Sequence, residues 1–114
     1  MMSCLFCKII SGEIPAKMVY QDEHLAVIED INPAAPLHLL LIPRKHIVNT
    51  LDLQSEDDAL IGHLHRVGAR IATESGFSES GFRIVTNTNG DAGQSVFHIH
   101  FHLLAGRSMT WPPG

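Results

Sequence analysis

Gly93–Gly106 reads GQSVFHIHFHLLAG, with His98, Ile99, His100, Phe101 and His102 at its centre. Side chains on a strand alternate between faces. The spacing therefore predicts a strand over Val96–Leu104. His98, His100, His102 and Leu104 share one face; Ile99, Phe101 and Leu103 turn into a core. The imidazoles would stand roughly 7 Å apart, twice the rise per residue. Three in a row are a poor choice for stability alone. Each ring has two nitrogens that need partners when buried, and His lies inside less often than Val or Ile. The face therefore reads as functional, and two chemistries fit it. Alternating histidines can bind a metal. They can also supply a nucleophile or a general acid–base group near neutral pH.

The residues just before the histidines bear on that choice. Asn87, Gly93, Gln94 and Ser95 lie on the approach loop. Gly93 lets backbone come close to a ligand, successive N–H groups in a turn can cradle an anion, and Ser95 can pass a proton to a leaving group. This predicts a phosphate site beside the triad. Asn89-Gly90 reads as a plain turn.

Further out, the chain reads as one α+β domain over residues 1–114. Cys4–Ile10 suggests a short helix ended by Ser11-Gly12. Met18–Gln21 and His24–Glu29 suggest two strands joined at Asp22-Glu23. DINPAAP, residues 30–36, is a proline-rich loop. LHLLLI, residues 37–42, is apolar enough for a central strand covered on both faces. Ser55-Glu56-Asp57-Asp58 resembles a capping box. Leu60, Leu64, Val67 and Ile71 follow at helical spacing, and Gly76 suits a C′ position. The opposite helix face, with His63, Arg66, Arg70 and Glu74, reads as solvated. Phe82–Asn87 completes a mostly antiparallel sheet of about five strands with one long and one short helix.

Composition narrows the function. At 114 residues, 45% hydrophobic and 18% charged, the chain can bury a real core. A net charge of −4 argues against a nucleic-acid surface, which needs clustered Lys and Arg. No apolar run approaches the roughly 20 residues that span a bilayer, and MMSCLFCKII is a poor signal peptide. The expectation is a cytoplasmic protein with no nucleic-acid or membrane partner. Cys4 and Cys7 form a Cys-x-x-Cys pair before the first strand. That place does not suit a thioredoxin-like motif, and a cytoplasmic disulfide is disfavoured. Two inert thiols, or half a zinc site, are left open.

The motif His98-Ile99-His100-Phe101-His102-Leu103-Leu104 resembles the histidine-triad pattern His-φ-His-φ-His-φ-φ, with φ apolar. The likeness extends to FCKIISGEIPAK, DINPAAPLHLLLIPRKHI, AGQS and the final WPPG, and so covers nearly the whole chain. It is similar to the branch of histidine-triad nucleotide-binding proteins that hydrolyse purine nucleoside phosphoramidates. The resemblance implies that His100 attacks the α-phosphorus and forms a nucleotidyl-histidine. His102 would donate to a phosphate oxygen, His38 would set a tautomer within the triad, and Ser95 would help protonate the departing amine. Asn87, Gly93 and Gln94 would line the phosphate site. Asp30, with Ile31 beside it, would take the ribose hydroxyls, and Leu5, Phe6, Ile9 and Ile28 would hold the purine. A backbone carbonyl on the other ring nitrogen would keep the attacking nitrogen bare. No cofactor is implied for catalysis. A structural zinc on Cys4, Cys7, His46 and His98 is implied for members with this cysteine pair, and that leaves His98's remaining N–H facing outward. The resemblance also implies a homodimer with one ten-stranded sheet, in which the tail bearing Trp111 lies near the partner's site. Other activities share the motif: dinucleoside polyphosphate hydrolysis or nucleotidyl transfer. A nucleotide- or partner-binding protein with incidental hydrolysis is the reading from a different class.

Overall fold

A computed structural model describes residues 3–114. In chain order these form α1 (Leu5–Ile10), β1 (Met18–Gln21), β2 (Leu25–Glu29) and β3 (Leu37–Pro43). Two single 3₁₀ turns, Thr50–Asp52 and Ser55–Asp57, lead into α2 (Asp58–Glu74), β4 (Phe82–Thr86) and β5 (Phe101–Ala105). The strands make one antiparallel sheet in the order β1-β2-β3-β5-β4. This is the α+β architecture expected, with a long and a short helix. No helix among the described residues is long and apolar enough to cross a membrane.

The central strand β3 is buried along almost its whole length, which is why its sequence is nearly all apolar. Its alternate residues serve two separate cores. Leu39 and Leu41 pack with Phe101 and Leu103 of β5 and with Leu64, Val67 and Ile71 of α2. Leu40 and Ile42 face the other way and pack with Ile28 and with Phe6 of α1. Helix α2 sits close to the sheet because Gly68 meets it: a Cβ there would stand 3.0 Å from the Leu41 side chain. The helix ends as expected at Gly76. That residue has φ +90°, and Phe77 N–H donates to Ala72 O, as a Schellman ending requires.

Three local expectations need correction. The helix start is capped one residue earlier than read: Gln54 N–H donates to Asp57 Oδ2 at 2.9 Å. The polar face of α2 is only partly a solvated face. His63 Nε2 lies 2.7 Å from Asp22 Oδ2, and the Arg70 guanidinium lies over the Tyr20 ring at 5.2 Å. The last strand begins at Phe101, not Val96. Upstream of it the backbone leaves the β4 ladder. Ile99 N–H donates to Ile47 O, and Thr86 Oγ1–H takes the His100 carbonyl at 2.8 Å. A side-chain donor thus stands where a strand partner would.

Candidate active site and metal cluster

The register places His38 opposite Leu104, and Leu40 opposite His102. His38 and His102 are therefore diagonal neighbours on the sheet face that does not meet α2. Diagonal neighbours are within reach of long or aromatic side chains. Here His38 Nε2 and His102 Nδ1 are 2.9 Å apart. Backbone groups decide where the protons sit. Ala34 N–H donates to His38 Nδ1 at 2.9 Å. That nitrogen must accept, so the proton of neutral His38 is on Nε2. It points to His102 Nδ1, which accepts in turn and leaves His102 with a donor at Nε2. Asp30 Oδ2 lies 3.3 Å from His38 Nε2 and 4.0 Å from His102 Nδ1.

His100 is set by a different group. Its Nδ1 is 2.8 Å from the carbonyl of His98. A carbonyl only accepts, so Nδ1 carries the proton and Nε2 keeps a bare lone pair. Burial lowers the basicity of His98, His100 and His102, although the carbonyl bonded to His100 acts the other way. Neutral rings follow at pH 7. Two backbone groups and burial thus give one imidazole ready to attack and one ready to donate.

Around them is a cleft of 670 Å³, lined among others by Leu5, Phe6, Ile9, Ile28, Asp30, Ile31, Asn87, Gly93, Ser95, His100 and His102. This volume suits a small-molecule ligand. The structure brings these eleven sequence-selected residues together. Ile14, Pro15, Ala16, Lys17 and Asn32 also line the cleft, although the sequence reading gave none of them a role. Ile14 to Lys17 arrive with the segment after α1, and Asn32 with the loop between β2 and β3.

Three selected residues stand elsewhere. His38 is buried behind His102 and does not line the cleft. Gln94 turns inward: its Oε1 accepts from Asn89 N–H at 2.9 Å and Asn49 Nδ2 at 3.2 Å, while its Nε2 donates to Val48 O at 2.8 Å. It braces the loop and is no part of the cleft wall. Trp111 is 82% exposed and outside the cleft. Two N–H groups of the expected cradle are committed within the loop. Gly93 N–H and Gln94 N–H already bond Gly90 O and Asn89 O within the loop.

A second cluster lies next to the first. Cys4, Cys7, His46 and His98 place one donor atom each within 4.8 Å of the others. Cys4 caps α1, so its thiol and that of Cys7 stand on one turn of helix. The fully buried His98 ring has Nε2 at 2.7 Å from Pro43 O, so its proton is there and Nδ1 is bare. Its N–H thus faces inward, not outward. Nδ1 lies 3.1 Å from His46 Nδ1, 3.4 Å from Cys4 Sγ and 3.6 Å from Cys7 Sγ, and Cys7 Sγ is 3.3 Å from His46 Nδ1. Tetrahedral zinc with ordinary bond lengths sets N···N edges of about 3.3 Å and S···N edges of about 3.5 Å. The donor set fits that ion in type and spacing. Burial and the adjacent Cys4 push the Cys7 thiol up; a coordinated cation reverses this, since a coordinating thiol is deprotonated. Asp30, His38 and His102 also cluster. There a cation would need His38 Nε2 stripped of its proton while Nδ1 accepts from Ala34, which does not suit a neutral ring.

Residues 11–109 match the HIT domain model, and the chain belongs to that family. It is 44% identical over 105 residues to a purine nucleoside phosphoramidase of Escherichia coli strain K12, covering 92% of this chain and 88% of that protein. A HIT family hydrolase from Legionella pneumophila superposes with a TM-score of 0.96 at 49% identity, over 98% of this chain and 100% of that one. A zinc-bound histidine triad family protein from Mycobacterium smegmatis does so with a TM-score of 0.81 at 42% identity, over 93% and 76% of the two chains.

Proposed function

We propose that this protein hydrolyses the P–N bond of purine nucleoside 5′-phosphoramidates through a nucleotidyl-histidine intermediate. The observation that carries the proposal is the bond from His100 Nδ1–H to the His98 carbonyl, which leaves Nε2 unprotonated in a residue lining the cleft. The phosphoramidase activity named for the Escherichia coli relative supports the same reading.

In the first step the His100 Nε2 lone pair attacks the α-phosphorus. The P–N bond to the amine breaks, and the departing nitrogen is protonated with help from the Ser95 hydroxyl. His102 Nε2–H donates to a non-bridging oxygen, where negative charge concentrates in the transition state. Asn87 beside it lines the same phosphate space. The purine lies between Leu5, Phe6, Ile9 and Ile28, and the ribose hydroxyls bond Asp30 next to Ile31. In the second step water attacks phosphorus and its proton passes to Ser95, replacing the one given to the amine; the P–Nε2 bond breaks, and the nucleoside monophosphate leaves with His100 neutral again. Dividing one displacement into two lowers the barrier to each. His38 acts through His102, since it holds that ring in the donating tautomer. Cys4, Cys7, His46 and His98 would hold a structural zinc, whose bonds to thiolate and imidazole supply folding free energy. The zinc-bound relative from Mycobacterium smegmatis supports this.

The test is turnover of adenosine 5′-phosphoramidate by wild type beside His100→Ala. Loss of the nucleophile should lower kcat by ~10³-fold or more. Equal rates in the two proteins would sink the proposal.

A further inference from the structure

Helix α1 has six residues, far too few to persist by itself in water. It nevertheless serves two sites at once. Cys4 at its cap and Cys7 in its first turn face His46 and His98. Leu5, Phe6 and Ile9 form a wall of the cleft. Phe6 packs edge-on against the His100 ring at 4.9 Å and the His98 ring at 6.0 Å. His98 belongs to both sites as well. Its ring nitrogen lies in the donor cluster, and its carbonyl orients His100. Three connections therefore run from the cluster to the cleft: the helix, the Phe6 ring and the His98 backbone.

We propose that the two sites are thermodynamically coupled. Zinc held by Cys4, Cys7, His46 and His98 tightens binding of a purine nucleoside monophosphate, and the nucleotide tightens zinc by the same factor. This rests on the zinc and nucleotide readings above. The cause is the ordering of α1. Without a cation, the thiols offer α1 only weak S–H hydrogen bonds. Phe6 packing in the second core then holds the helix only in part, and a nucleotide must complete its ordering as it binds. Zinc orders it beforehand, so the second ligand meets a smaller entropic cost. Reciprocity follows because both ligands bias one equilibrium.

The probes are zinc and AMP on the full chain. AMP affinity is measured calorimetrically on zinc-loaded and on chelator-stripped protein. Zinc affinity is measured against a chromophoric chelator, with and without saturating AMP. Both factors should agree, at about 5- to 50-fold. Amide exchange of the stripped protein should speed up in residues 5–14 and stay slow in β2, β3 and β5. One zinc per chain with AMP affinity unchanged on stripping overturns the coupling and leaves the zinc reading intact. Failure to bind zinc overturns both. Loss of exchange protection throughout the sheet overturns it too, since the metal would then hold the whole fold and not this helix.

Discussion

At the scale of single residues, His100 and His102 have the same side chain two positions apart and opposite tasks. Their neighbours make the difference. A carbonyl acceptor bonds one nitrogen of His100, whereas His102 receives a proton donor through His38. Ser95 gives the sharpest test of the proposed leaving-group chemistry. Ser95→Ala should slow phosphoramidates with alkylamine leaving groups by about 10- to 100-fold. It should leave AMP esters of 4-nitrophenol, which depart as stable anions, within about threefold. An equal effect on both would remove Ser95 from proton delivery. The residue types at the triad were legible in the sequence because alternation with apolar neighbours is a local pattern. The protons were not, since Ala34, Pro43 and His98 supply backbone groups whose positions no spacing reveals.

The elements are held by a few polar side chains whose surroundings make them count. Asp22 is one. Burial by itself would raise its carboxyl. The hydrogen bonds it accepts from Tyr20 OH, His63 and the N–H groups of His24 and Leu25 outweigh this and hold it well below the usual carboxylate range. It ties the β1–β2 turn to α2. A carboxyl depressed in the folded state stabilises fully above its unfolded value of 3.8 and loses that effect as pH falls below it. Asp22→Asn should therefore cost about 1–3 kcal/mol near pH 7. Urea melts of the two proteins should converge as pH drops below 3.8, whereas a pH-independent gap would refute the linkage. Gly106 closes β5. Its φ is +97°, and a Cβ would stand 2.8 Å from Pro36 Cβ. Gly106→Ala should destabilise by about 1–3 kcal/mol, read as a lower urea midpoint; an unchanged midpoint would show that Pro36 yields freely. Helices and the four earlier strands were legible at this scale, for they follow hydrophobic period and turn chemistry. The early part of the last strand was not. Val96–His100 alternates like a strand, but Thr86 and Ile47 take up its backbone groups.

For the whole molecule, β4 is an outer strand with one side of its backbone unpaired within the sheet. Phe82 on it is exposed, and so is Trp111 in the tail. We propose that two copies join edge to edge in one ten-stranded sheet, which covers such an edge. Sedimentation equilibrium should then give twice the chain mass of 12.5 kDa. A single-chain mass at micromolar concentration would reject the dimer.

The sequence by itself determined the α+β class, a central strand covered on both faces and the histidine face, while its resemblance to the family implied Cys4, Cys7, His46 and His98 as metal donors. Local periodicity and a long, specific motif carry such information. Only the tertiary structure decided which nitrogen of each imidazole bears a proton, that Gln94 braces the loop instead of lining the cleft, and that one short helix joins two sites. Some of those outcomes join groups far apart in the chain, as Pro43 O with His98 and Val48 O with Gln94; others, as His98 O with His100 and Ala34 N–H with His38, depend on a local backbone path that only the folded loops and sheet fix.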